Sequence, residues 1–228
     1  MTQHFIAFPV NDTLLSNSNR FFEAVAARDP IAGKLFSDIM QELTRLLIDT
    51  LLLHSMSMTK MSSMMEKVVK LCASTGMKVS GMLAGKLYDK APWDELEKVA
   101  AVWQAMLRDY GDGKGWRIGT ELSAGFATRL EALLQERGTD PVYYPKDINV
   151  VVQAYEQLAE VVIDDIFLRP SSQLTIGRIT DGLKRTGVSS VKAAIQSVMH
   201  NVIAKLPPEP LTGYIDYTTQ FYVKTVNT

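Results

Sequence analysis

Sulfur-bearing side chains are concentrated in one stretch of the chain, where they could bind a soft metal or an apolar ligand. His54 is followed by a run of methionines at close spacing. Thioethers are ligands for copper(I), but several of these methionines share the apolar stripe of a predicted helix with Cys72. A chain with one cysteine makes a poor copper carrier. We therefore predict no metal site, leave any cofactor unassigned, and favour core packing or an apolar pocket lined by Met61, Met64, Met65, Met82 and Trp103.

Small residues follow the methionines at helical spacing. They are Gly76, Ser80, Gly81, Ala84 and Gly85. Small side chains let two helices approach closely, and the neighbouring lysines argue against a helix pair inside a membrane. We expect a tight crossing in a helical bundle, with room for a ligand beside the methionines as the alternative.

A basic segment near the C-terminus could contact phosphates. Residues 167–206 carry a net charge of +5, and the stretch 186–189 between two predicted helices resembles the short turn of a helix-turn-helix. The match is partial, because Leu183 stands where a small residue is usual, so an ordinary helical hairpin is favoured. The nucleic-acid hypothesis rests on four cationic side chains: Arg178, Lys184, Arg185 and Lys192.

Acidic side chains line one face of the predicted helix 148–166. Glu156, Glu160 and Asp164 recur every four residues, and residues 146–166 carry a net charge of −4. A di-metal bundle would need a Glu-x-x-His step on two helices, which the three isolated histidines do not supply. We assign these carboxylates to partner binding or to internal pairing with the basic segments, and we find no catalytic set.

Composition indicates a folded, water-soluble protein. The 228 residues are 46% apolar and 21% charged, with a formal net charge of −1, which excludes a disordered chain and a wholesale polyanion binder. No signal peptide and no run of about 18 apolar residues, the length of a membrane span, is visible. We expect a cytoplasmic location.

Apolar periodicity predicts an all-α fold, a compact bundle of about seven or eight helices spanning residues 1–206. The ranges that the spacing favours are 31–53, 58–75, 77–88, 92–110, 122–138, 148–166, 175–185 and 189–206. We expect Gly76 to end the second of these helices. The prolines at 207–210 then predict a break in helical structure.

The last segment, 207–228, is predicted to be an extended C-terminal arm. Residues 213–226 alternate in polarity, which places Tyr217 and Phe221 on one face of a strand. A strand needs a partner for its backbone groups. The run 4–8 could provide it within the chain, and a second subunit could provide it in a homodimer, with Tyr217 and Phe221 at the contact.

These observations favour a non-catalytic helical module that binds another protein or a second copy of itself. The alternative is a protein that binds an apolar small molecule or acyl chain in a methionine-lined pocket. The second alternative is nucleic-acid binding through the basic helices of residues 175–206.

Overall fold

Helices dominate the chain, as predicted. The computed structural model describes residues 2–54 and 62–226, and over these ranges the chain forms eight α-helices and one four-stranded sheet. The helices are α1 (Asp12–Ala26), α2 (Ala32–Ile48), α3 (Ser63–Tyr88), α4 (Trp93–Met106), α5 (Ala124–Arg137), α6 (Ile148–Val161), α7 (Arg178–Asn201) and α8 (Pro208–Thr219). The strands are β1 (Thr2–Pro9), β2 (Leu107–Asp109), β3 (Trp116–Glu121) and β4 (Tyr222–Val226).

Two of the helices continue into π-helical segments. The first π segment, Asp49–His54, extends α2, and the second π segment, Val162–Phe167, extends α6. Short 3₁₀ turns follow at Pro170–Gln173 and Ile203–Lys205. In a π-helix the backbone bonds from residue i to i+5, which changes the direction in which the following side chains leave the helix.

The sheet is antiparallel throughout, in the order β2-β3-β1-β4. The N-terminal strand therefore supplies the partner for the C-terminal strand within the chain, with Phe5 opposite Val223. Lys224 Nζ also donates to Glu131 Oε1 at 2.8 Å, which ties the end of the sheet to α5.

Local side-chain caps explain where several helices begin. Asn11 Oδ1 accepts from the Leu14 amide at 2.7 Å, and Ser123 Oγ accepts from the Phe126 amide at 3.3 Å. Each cap satisfies one of the amides that has no partner within the first turn.

The C-terminal segment is less extended than predicted. Residues 208–219 form α8, and only residues 222–226 form a strand. Proline lacks an amide hydrogen, which the first turn of a helix does not need. Pro208 and Pro210 therefore begin a helix instead of preventing one, and Leu211 and Ile215 of that helix are buried in the core.

Two predicted helix breaks are also wrong. Residues 63–88 form one helix that passes through Gly76, and residues 178–201 form another that passes through Gly187. A Cβ atom on Gly187 would lie 2.8 Å from Val79 Cγ1, so this glycine permits close packing of α7 on α3. Neither the favoured helical hairpin nor the alternative helix-turn-helix therefore forms here.

Three other elements differ from the sequence prediction. Helix α1 and strand β3 were not anticipated, and the helix predicted to reach Tyr110 ends at Met106. Residues 107–109 pair instead with β3. Among the described residues, no helix has both the length and the hydropathy needed to cross a membrane.

Candidate functional site

An apolar cavity of about 130 Å³ lies among five of the helices. Its wall comes from the C-terminal end of α2 with the first π segment, the middle of α3, α6 with the second π segment, α7 and α8. Among the described residues that line it, none carries a charge. Water is poorly held in such a space, because it needs two to four polar partners.

Both π segments contribute to this wall. The first supplies Leu51 and Leu52, and the second supplies Val162, Ile163 and Phe167. π-Helical residues make up well under 1% of protein structure, and single π turns are frequent at functional sites. Two such segments, from distant parts of the chain, line this one cavity. Their meeting there makes the cavity a candidate functional site.

Short side chains leave the space unfilled. Gly76 of α3 and Ala159 of α6 both line the wall, and α7 adds Val188, Val191 and Ile195. A Cβ atom on Gly76 would lie 3.0 Å from Ile48 Cδ1, so the helices are already close at this level. Longer aliphatic side chains and aromatic rings make up the rest of the described wall.

Four hydroxyl groups belong to residues of the wall, and three of them have protein partners. Thr44 Oγ1 lies 2.6 Å from Ser80 Oγ and also donates to the Met40 carbonyl oxygen at 2.7 Å. The hydroxyl of Tyr155 hydrogen-bonds to that of Thr218. No hydrogen bond to the hydroxyl of the fourth, Tyr214, is found within the described part of the chain.

Burial keeps both tyrosines of the wall neutral. Removal from water raises the pKa of Tyr155 and that of Tyr214 well above the ordinary value of 10. Their rings are tilted against each other with centroids 4.8 Å apart. The described residues of the site therefore offer apolar surface, neutral hydroxyl groups and no ionised group.

The structure separates the residues that the sequence predicted as a methionine-lined pocket. Met64 and Met82 lie on α3 but are 71% and 40% exposed, and Met65 is half-buried. Trp103 is buried elsewhere in the core, where its Nε1–H donates to Ser18 Oγ at 3.0 Å. Met61 lies outside the described residues. None of the four described residues lines the cavity.

One sequence pattern, the small residues at helical spacing, does include residues of the cavity wall. Among the small residues at helical spacing, Gly76 and Ser80 line its wall. The remaining wall residues come from five separate segments. Only the packing of α2, α3, α6, α7 and α8 brings these segments together.

Most of the predicted nucleic-acid residues have protein partners. Lys184 Nζ donates to Ser171 Oγ at 2.8 Å, and burial lowers the pKa of this lysine. Arg185 pairs with Asp181 at 2.7 Å and Lys192 with Asp164 at 2.9 Å, while Arg178 is exposed at the start of α7. Nucleic-acid binding by these side chains stays a prediction.

The predicted acidic face pairs at least partly within the chain. Glu156 Oε1 lies 3.1 Å from His200 Nε2, and Asp164 pairs with Lys192 of α7. Glu160 borders a small hollow of about 20 Å³ that Glu156 and Lys192 also line. Among the described residues, no cluster of His, Cys, Asp and Glu has the arrangement of a metal site.

The two aromatic residues predicted at a partner contact lie inside or near the core. Phe221 is 2% exposed, and its ring centroid lies 5.0 Å from that of Phe8. Tyr217 packs against the ring of His54 at 4.9 Å and against Phe221 at 5.3 Å. Their role in binding a partner stays a prediction.

Comparison with known proteins assigns no relatives. No family model, no curated protein and no solved structure matches this chain. The functional inference therefore rests on the geometry of the cavity.

Proposed function

We propose that this protein binds a small apolar molecule in the cavity between the two π segments. The observation that carries the proposal is the convergence of Asp49–His54 and Val162–Phe167 on one cavity whose described wall residues are uncharged. The absence of charge among the described wall residues favours a ligand that gains by leaving water.

The size of the cavity indicates the size of the ligand. Its volume is about 130 Å³, and an engineered cavity of about 150 Å³ lined by Leu, Ile and Phe stays dry and binds benzene or xenon. A molecule of roughly six to eight non-hydrogen atoms is therefore a suitable occupant on the same scale. A long acyl chain would need space beyond this volume.

Calorimetric titration of the full chain with benzene tests the proposal. We expect saturable binding with one site, and a melting temperature that rises with benzene concentration because the ligand binds the folded state. Val191→Phe and Ala159→Phe place an aromatic ring in the wall from two different helices. Both variants should lose benzene binding.

A matched substitution outside the cavity controls for the added ring. Ala101 is exposed on α4, so Ala101→Phe should bind benzene like the original protein. Absence of saturable benzene binding by the original protein would contradict the proposal. Unchanged binding in both folded filling variants would place the benzene elsewhere and contradict it equally.

The hypothesis of a protein-binding module, with a homodimer as its simplest form, stays a prediction. Met64 and Leu71 are 71% and 67% exposed on α3, which leaves apolar surface available to a partner. Native mass spectrometry of the full chain measures both oligomer order and the mass of any small molecule that remains bound.

A further inference from the structure

The hydroxyl groups of the cavity wall differ in whether they are already hydrogen-bonded. Thr44 donates to the Met40 carbonyl oxygen at 2.7 Å and accepts from Ser80 Oγ at 2.6 Å. Tyr155 bonds to Thr218. A hydroxyl that is satisfied within the protein gains little by bonding to a ligand, since it would have to exchange one partner for another.

Tyr214 is the exception among the described residues of the wall. Its side chain is 3% exposed and lines the cavity, yet its hydroxyl has no hydrogen bond to any described residue. An apolar ligand that fills the cavity would leave this hydroxyl without a hydrogen bond, at a cost in desolvation free energy that a ligand with a hydrogen-bonding group avoids.

We infer that Tyr214 selects ligands that carry one hydrogen-bonding group on an otherwise apolar body, and that a neutral monocyclic phenol is the class that fits. This inference rests on the proposed function. The cavity volume fits a single aromatic ring with one small substituent. The lack of charged wall residues in the described chain excludes a carboxylate or an amine, whose ionised form would lose its hydration without a counter-charge.

Water is a poor substitute for such a ligand. A bound water needs two to four polar partners, and the other three hydroxyl groups of the described wall are already engaged. A phenol needs only the Tyr214 hydroxyl, because its ring is held by the aliphatic wall.

Phenol and toluene form a matched pair of probes, since they differ only in a hydroxyl and a methyl group. Both are titrated calorimetrically into the full chain and into Tyr214→Phe. We expect Tyr214→Phe to weaken phenol binding about three- to tenfold, the range of one hydrogen bond. Toluene should bind the original protein and the variant with the same affinity within about twofold.

Tyr155→Phe is the matched control, because it removes a hydroxyl that is already bonded to Thr218. It should change the affinities for phenol and toluene by the same factor. Equal weakening of both probes by Tyr214→Phe, or no weakening of phenol, would overturn the inference while toluene binding still supports the proposed function. Failure of the original protein to bind either probe would overturn both.

Discussion

Helices α2 and α3 run through two regions that are packed in opposite ways. At one end, aromatic rings fill the space: the centroid of Phe36 lies 4.7 Å from that of Tyr88 and 5.4 Å from that of Trp103. At the other end, the same two helices contribute Leu47, Gly76 and other small or aliphatic residues to the cavity. The helix pair is continuous, so the difference lies in side-chain volume and in the π segments.

The unfilled space of the cavity lowers the stability of the folded protein. Cavities in protein cores cost about 24 cal/mol per Å³, so a cavity of about 130 Å³ costs on the order of 3 kcal/mol. That is a large part of the roughly 5–15 kcal/mol by which a domain is stable. A bound apolar molecule restores the missing contacts, whereas the aromatic end needs no ligand to be fully packed.

The largest expected difference in the free energy of unfolding is between alanine substitutions at two glycines, one in each region of the helix pair. A Cβ atom on Gly33 would collide with the carbonyl oxygen of Tyr88, which cannot move without shifting the backbone. Gly33→Ala should lower the free energy of unfolding by about 3 kcal/mol. Gly76→Ala meets only the flexible end of Ile48 and gains helix propensity, so it should leave stability within about 1 kcal/mol of the original or raise it.

Urea unfolding of the two variants measures this difference. Equal destabilisation would mean that the cavity end is packed as closely as the aromatic end, and it would contradict the comparison.

A smaller effect is expected from two buried serines. Ser18→Ala leaves the indole N–H of Trp103 buried without its partner, which should cost about 2 kcal/mol. Ser80→Ala leaves Thr44 bonded to the Met40 carbonyl oxygen, so it should cost less than about 1 kcal/mol. Chemical denaturation gives both values. A larger loss of stability in Ser80→Ala than in Ser18→Ala would contradict the expectation that the aromatic end is the more closely packed of the two.

The smallest effect concerns alkaline pH. Burial raises the pKa of Tyr88 at the aromatic end and of Tyr214 at the cavity. In the unfolded chain these hydroxyls ionise near pH 10, while the folded protein retains their protons, so the free energy of unfolding falls as the pH rises above about 10. Tyr88→Phe and Tyr214→Phe should each make this fall shallower.

Unfolding measured between pH 9 and 11 tests the effect. Tyr88→Phe should reduce the slope of the free energy of unfolding against pH, and Tyr214→Phe should do the same. If only Tyr88→Phe reduced it, Tyr214 would ionise in the folded protein as easily as in the unfolded chain. That result would contradict its description as a buried, neutral hydroxyl.

Sequence periodicity predicted the helices whose apolar residues face one core. Ile148, Val151, Val152 and Tyr155 recur at helical spacing, and α6 begins at Ile148 as expected. Glycine and proline misled the prediction where their role depends on tertiary contacts. Gly187 appeared to mark a turn because its close contact with Val79 of α3 cannot be read from neighbouring residues.

The cavity itself could not be predicted from the sequence. Its wall joins residues as distant as Thr44 and Tyr214, and no local pattern connects them. The methionines were the conspicuous apolar group, but flexibility lets methionine occupy exposed and half-buried positions as well as pockets. The two π segments also contain neither glycine nor proline, since their sequences are DTLLLH and VIDDIF.

The most direct test is a crystal structure of the full chain under xenon pressure. Xenon enters dry apolar cavities without needing a hydrogen bond, so its position depends on cavity shape alone. We predict xenon density between Gly76, Val162 and Val191, and none among the rings of Phe36, Tyr88 and Trp103. A crystal structure in which side chains fill the space between the two π segments, with no xenon there, would contradict the account.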